Sequence, residues 1–208
     1  MTATFFVGSP FTNPAPAAVE TAAVDRDEPD VPAITRGSGK EPAGKREERP
    51  GRHQVINIPK DKTLRITVPK MARIKNDTVP YATATDETAF KYHAGVHLLG
   101  TGFPWQRQAN VYIAGHRLGY VGTPSFLAFW DLDNVDVGDK ILVTDALGRR
   151  YVYKVFKDFI VDPDDVFVTR PMKGRNILTL QTCTLPDYSR RLIIQAERIS
   201  ATRGDGRR

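Results

Sequence analysis

One cysteine, four histidines and no long apolar run are the scarce features of this 208-residue chain, and each shortage excludes some chemistry. A single thiol, Cys183, rules out an intrachain disulfide. A zinc centre needs several donors close together, and no CxxC pair is present to supplement His53, His93, His97 and His116, so no metal site is expected. No stretch approaches the roughly twenty apolar residues that a membrane-crossing helix requires. No secretory leader is expected within these residues, because Phe5-Phe6-Val7 is too short for its apolar region and no basic segment precedes it. No RNA- or DNA-binding motif accompanies the net charge of +6, and the basic residues are scattered, so nucleic acid is not an expected partner.

The charge is unevenly placed. Up to residue 54 there are seven Lys and Arg against eight Asp and Glu; subtracted from the totals of 30 and 24, this leaves 23 against 16 for the remainder. Residues 1–53 combine recurrent prolines with Ala, Thr, Glu and the run Lys45-Arg46-Glu47-Glu48-Arg49, the composition of a disordered linker. Residues 54–200 carry the apolar patterning of a folded domain, and residues 201–208 form a basic tail, Arg203-Gly204-Asp205-Gly206-Arg207-Arg208 included. Its Arg-Gly-Asp tripeptide is read as chance.

Within the folded part the pattern is mostly β. Leu64-Arg65-Ile66-Thr67-Val68 alternates and stops at Pro69; Ile141-Leu142-Val143 and Tyr151-Val152-Tyr153-Lys154-Val155 read as a hairpin about Leu147-Gly148-Arg149. Phe159-Ile160-Val161 and Val166-Phe167-Val168 read as two further strands flanking Asp162-Pro163-Asp164-Asp165, a solvated turn lacking the glycine and distal glutamate of a calcium loop. Asp86 is placed to cap a helical turn over residues 87–93, and Ser125 another over 126–132. Many short strands suggest a barrel or a sandwich.

Cys183 closes the apolar run Ile177-Leu178-Thr179-Leu180-Gln181-Thr182, and the pair Arg190-Arg191 follows shortly after. Thiolate is the nucleophilic form of cysteine and a nearby cation favours it, so Cys183 reads as a buried structural thiol, a nucleophile or, with less support, a metal ligand. His116 closes a second apolar run, Asn110-Val111-Tyr112-Ile113-Ala114, after Gly115, and is either a hydrogen-bonded strand-end histidine or a base. Two strands of one sheet can bring such side chains together although they are far apart in sequence. Arg190 and Arg191 have opposite strand parity, so only one faces the side that carries the thiol. Parity alone does not choose between them.

Thr179-Leu180-Gln181-Thr182-Cys183 resembles the TLxTC signature of sortases, the cysteine transpeptidases of bacterial cell surfaces, and Ile113-Ala114-Gly115-His116-Arg117 resembles their histidine motif. Arg191, followed by Leu192-Ile193-Ile194, falls where that family places its catalytic arginine. The similarity runs over residues 64–199, and the Ala-Gly-His-Arg sequence with the short Cys-to-Arg connection is most similar to class E. The resemblance implies an eight-stranded β-barrel with short connecting helices and a catalytic set of Cys183, His116 and Arg191. It implies cleavage of an LPxTG or LAxTG sorting signal between Thr and Gly, then transfer of the acyl group to an amine of a cell-wall precursor or a pilin lysine. No cofactor is implied. Thr182, Leu118 and Tyr120 are the candidate substrate-binding residues, and the expected location is the outer face of the bacterial cell membrane. Two rivals stand beside this reading: a cysteine peptidase that releases the same acyl group to water, and a non-catalytic barrel that binds envelope peptides.

Overall fold

Nine strands in one sheet build the folded unit in the computed structural model, which describes residues 58–202. The linker expected over residues 1–53 and all but the first two residues of the expected tail lie outside the described residues. Those two, Ala201 and Thr202, still belong to the last strand.

The strands are β1 (Leu64–Thr67), β2 (Lys75–Val79), β3 (Tyr81–Ala82), β4 (Val96–Leu98), β5 (Ala109–Ala114), β6 (Lys140–Asp145), β7 (Arg150–Val161), β8 (Asn176–Cys183) and β9 (Arg191–Thr202). Their spatial order is β2-β1-β6-β7-β9-β8-β5-β4-β3, with the pairs β5–β8 and β3–β4 parallel and the others antiparallel. The mostly β, barrel-like architecture matches expectation; the strand count exceeds eight, and the shortest strand, β3, pairs through only two residues at the sheet's end.

The sheet buries apolar side chains on both faces in its centre. One face of β5, β8 and β9 sends Val111, Ile113, Leu178, Leu180, Leu192, Ile194 and Ala196 into the main core, with Phe129, Leu132 and Tyr153. The other face carries a smaller cluster of Tyr112, Val161, Ile193 and Val168. That double burial explains why the central strands read as near-continuous apolar runs.

Three local expectations are corrected. Residues 159–161 form no separate strand: β7 continues through them, its register shifting at Val152/Tyr153 and Val155/Lys157 to follow β9. Val166–Thr169 forms a 3-10 turn: the connection from β7 to β8 turns back at Asp165, whose carboxylate accepts from the Asp162 amide at 3.0 Å, and drops Val168 onto the smaller cluster. Residues 126–132 form no α-helix. The Ser125 hydroxyl accepts from the Tyr120 amide at 3.2 Å instead of capping, Leu127 takes a left-handed φ of 54°, and the Leu127 and Phe129 amides donate to the Leu118 and His116 carbonyls. Asp86 does cap a helix, α1 (Glu87–Tyr92), accepting from the Ala89 amide at 2.9 Å. Such a cap contributes about 1 kcal/mol.

Candidate functional site

Register places Cys183 and Arg191 at the paired ends of β8 and β9, and His116 two residues beyond the end of neighbouring β5. Cys183 ends β8 and is paired with Arg191, the first residue of β9. On the other side of β8, parallel β5 ends at Ala114, opposite Gln181; two residues further along each strand direction stand His116 and Cys183. Directly opposed residues share a face, and alternate residues repeat it. Tyr112, Gln181, Cys183, Arg191 and Ile193 therefore lie on one face, the one bearing the smaller cluster, while Thr182 points to the other.

The β5–β8 edge is held by two bonds beyond the last paired residues. The Gly115 amide donates to the Gln181 carbonyl at 3.0 Å, and the Thr182 hydroxyl donates to the Gly115 carbonyl at 2.9 Å. The buried Thr182 side chain thus straps the cysteine strand to the histidine strand. Gly115 is needed for close approach: a Cβ there would lie 2.4 Å from the Phe129 ring and 2.8 Å from the Ala94 carbonyl oxygen.

The His116 imidazole packs edge-on against Phe90 of α1 and against Tyr120, with centroid distances of 5.6 Å to each. Burial pulls its pKa below the usual histidine value, while the nearby Glu87 carboxylate pulls the other way. Glu87 also accepts from the Tyr120 hydroxyl at 3.3 Å, so α1 and the 116–123 loop close this side together. Leu118 stands half-exposed in that loop, and Val121 at its tip is exposed. Arg117 turns the other way: its buried guanidinium donates to Asp133 at 2.6 Å and lies over Trp130.

Arg191 is fixed by its own hairpin. Its Nη1 donates to the carbonyls of Tyr188 and Arg190 at 3.0 and 3.1 Å, leaving Nη2 and Nε as the remaining donors of the fork. Arg190 points elsewhere and donates from Nε to Asp162 at 3.0 Å. The structure therefore separates the two arginines as parity requires and puts Arg191 across from the thiol.

His93 and His97 are four residues apart, but α1 ends at Tyr92 and His97 lies in β4, so the spacing does not set them on one helical face. The His93 ring Nδ1 lies 3.1 Å from the Ala89 carbonyl, and His97 is buried among Tyr81 and Phe103 with Nε2 at 2.9 Å from the Gly102 carbonyl. Among the described residues no group of three or more His, Cys, Asp and Glu is arranged to hold a metal ion.

Sequence reasoning passed over Glu87 and Phe90, which face His116, and Phe129, whose ring packs at Gly115. Nothing in the chain's pattern ties α1 to the histidine loop. It also passed over Tyr112 and Gln181, although strand alternation counted back from Cys183 and His116 reaches both.

Residues 66–199 match the sortase domain family. Sortase A of Streptococcus agalactiae is 32% identical over 90 residues, which cover 43% of this chain and 36% of that protein. The chain thus matches about a third of that relative's length. Among solved structures, sortase C1 of S. agalactiae superposes with a TM-score of 0.56 at 28% identity, covering 65% of this chain and 66% of that one. Sortase C-1 of Actinomyces oris gives 0.57 at 27% identity, with coverages of 66% and 73%.

Proposed function

The chain belongs to the sortase family, and from that premise we propose that it is a cysteine transpeptidase whose nucleophile, proton carrier and oxyanion partner are Cys183, His116 and Arg191. The observation that carries this reading is the register: the last β8–β9 pair is Cys183 with Arg191, and the parallel β5 delivers His116 to the same edge.

The chemistry follows from the residue types. Cys183 Sγ attacks the scissile carbonyl carbon, and the thiol proton passes through His116 to the departing amine. The C–N bond breaks and a thioacyl enzyme remains. Lowered by burial, the His116 pKa leaves the imidazole neutral near pH 7 and able to take the proton of the incoming amine. That amine then attacks the thioester, and Sγ leaves as the new amide forms. Arg191 presents its remaining donors to the oxyanion, a contribution of roughly 3 kcal/mol for a preorganised donor. Leu118 and Tyr120 line the His116 side as substrate contacts. Thr182 acts on substrate only through its backbone and its hold on the β8 edge, since its hydroxyl is committed to Gly115.

The substrate class we propose is an exported protein bearing an LPxTG or LAxTG signal, cut between Thr and Gly, with the amine supplied by a cell-wall precursor or pilin lysine. Work on such partners belongs at the outer face of the cell membrane. No helix among the described residues is long and apolar enough to cross a membrane. A class E assignment is supported by the Ala114-Gly115-His116-Arg117 sequence and the seven-residue connection 184–190 between β8 and β9. Product analysis of a signal peptide with and without oligoglycine tests the reaction type. Transpeptidation gives the peptide–glycine conjugate whenever amine is present; a hydrolysed acid as the sole product under both conditions would make the protein a peptidase.

A further inference from the structure

Gln181 stands on the same face as Cys183, two residues before it, a separation of about 7 Å along a strand. Its side chain is not free to wander. Tyr112, on the neighbouring strand and the same face, donates its hydroxyl proton to the Gln181 Oε1. The phenol is buried with Val161, Val168 and Ile193, and burial raises its pKa, so it keeps the proton it donates. With Oε1 engaged, the two N–H donors of Nε2 form the unengaged end of the amide, and they have no partner among the described residues. Gln181 itself is half-buried, so this end reaches the open face beside the thiol.

Which part of a substrate meets that face follows from the layout. The amine side of the reaction is handled by His116, enclosed by Phe90 and Tyr120 beyond the end of β5. Gln181 lies in the opposite direction, back along β8 toward the middle of the sheet. A chain crossing there is extended and presents carbonyls at the strand repeat. We propose that Gln181 is a specificity residue for the acyl donor, hydrogen-bonding through its Tyr112-fixed amide to a peptide carbonyl about two residues from the scissile bond. This rests on the transpeptidase reading of Cys183.

Rapid-quench acylation kinetics with a sorting-signal peptide, followed by separate titration of oligoglycine, tests it. Q181A and the similarly sized Q181M should each lower kcat/KM for acylation about fivefold to tenfold, the effect of one lost hydrogen bond. Q181E, which keeps the Tyr112 bond but offers no donor, should lose at least as much. Y112F leaves the amide present but unfixed and should lose less than Q181A. In all four the KM for oligoglycine should stay at the wild-type value, and the melting temperatures of the Gln181 variants should match wild type, which a merely structural role would not satisfy. Acylation by Q181A and Q181M within twofold of wild type, or a loss appearing in the amine KM, overturns the assignment of Gln181 while leaving the transpeptidase reading intact. Failure of wild type itself to acylate overturns that reading and this one together.

Discussion

Gly115→Ala adds one methyl group at the point where the histidine strand passes under Phe129. The new Cβ would lie 2.4 and 2.5 Å from two carbons of the Phe129 ring and 2.8 Å from the Ala94 carbonyl oxygen. The ring is fully buried and its residue is tied to His116 by the Phe129 amide to His116 carbonyl bond of 3.1 Å, so it cannot swing out without dragging the loop. The Ala94 oxygen belongs to the backbone. Overpacking of this kind costs about 1 to 3 kcal/mol, which for a domain of this size corresponds to a melting temperature lowered by roughly 3 to 10 °C. Because the strain falls on the residue before His116, turnover should drop more than stability does, by about tenfold at a temperature where the variant is fully folded. Gly95→Ala supplies the scale: its Cβ meets the same ring at 3.2 Å and Ile113 at 3.1 Å, so its cost should be smaller. Calorimetry and peptide cleavage on both variants, with Phe129→Leu added to Gly115→Ala, measure the coupling. Relief of the Gly115→Ala defect by Phe129→Leu is expected. A Gly115→Ala protein that melts within 1 °C of wild type and keeps full activity would refute the close-approach argument.

Cys183→Ala should abolish cleavage and ligation, because no other group supplies the covalent intermediate; activity above about a hundredth of wild type in product assays would count against it. His116→Ala should remove most turnover in the same assays. Arg191→Lys should lower kcat by on the order of a hundredfold, since a point charge does not reproduce the guanidinium fork, whereas Arg190→Lys, whose partner is the exposed Asp162, should be nearly silent. Equal losses at both positions would mean that only the charge of the pair matters. His97, held by burial to a pKa of about 4 against 6.5 in the open chain, stays neutral while the unfolded chain takes up a proton, so stability is highest above pH 6.5 and declines as pH falls to about 4. The difference amounts to about 3 kcal/mol. Urea unfolding of wild type and His97→Gln across that range should show a smaller decline in the variant, with the part due to the other groups, His116 included, remaining; parallel curves would contradict it.

Cys183 and His116 were legible as candidates because each follows an apolar run, and a strand end is where a side chain escapes the core; Arg191, which begins β9, was singled out by the family resemblance. The choice between Arg190 and Arg191 was not legible from alternation alone. It depends on the register across the β8–β9 hairpin, which pairs Arg191 with Cys183 and sends Arg190 to Asp162. The connections were the least legible part. Ser125 offers a hydroxyl that suits a helix cap, yet the amide it meets belongs to Tyr120, upstream, because the 116–120 segment pairs with 127–129 through backbone bonds between residues nine to thirteen apart. Val166 to Val168 has the composition of a strand, but a strand needs a neighbour with free backbone groups. Asn110 fills that role with its side chain instead, donating to the carbonyls of Val168 and Arg170 at 2.8 and 3.1 Å and fixing a turn. Tyr112 and Gln181 were passed over, although alternation counted back from His116 and Cys183 reaches both.

Intact-protein mass spectrometry after mixing with a sorting-signal peptide is the most direct test of Cys183 as the acyl carrier. The account predicts a mass increase equal to the peptide's acyl fragment on wild type, located at Cys183 by peptide mapping, absent from Cys183→Ala, and discharged on adding oligoglycine with formation of the conjugate. An unmodified wild-type protein during turnover, or an adduct mapped to any other residue, would contradict it.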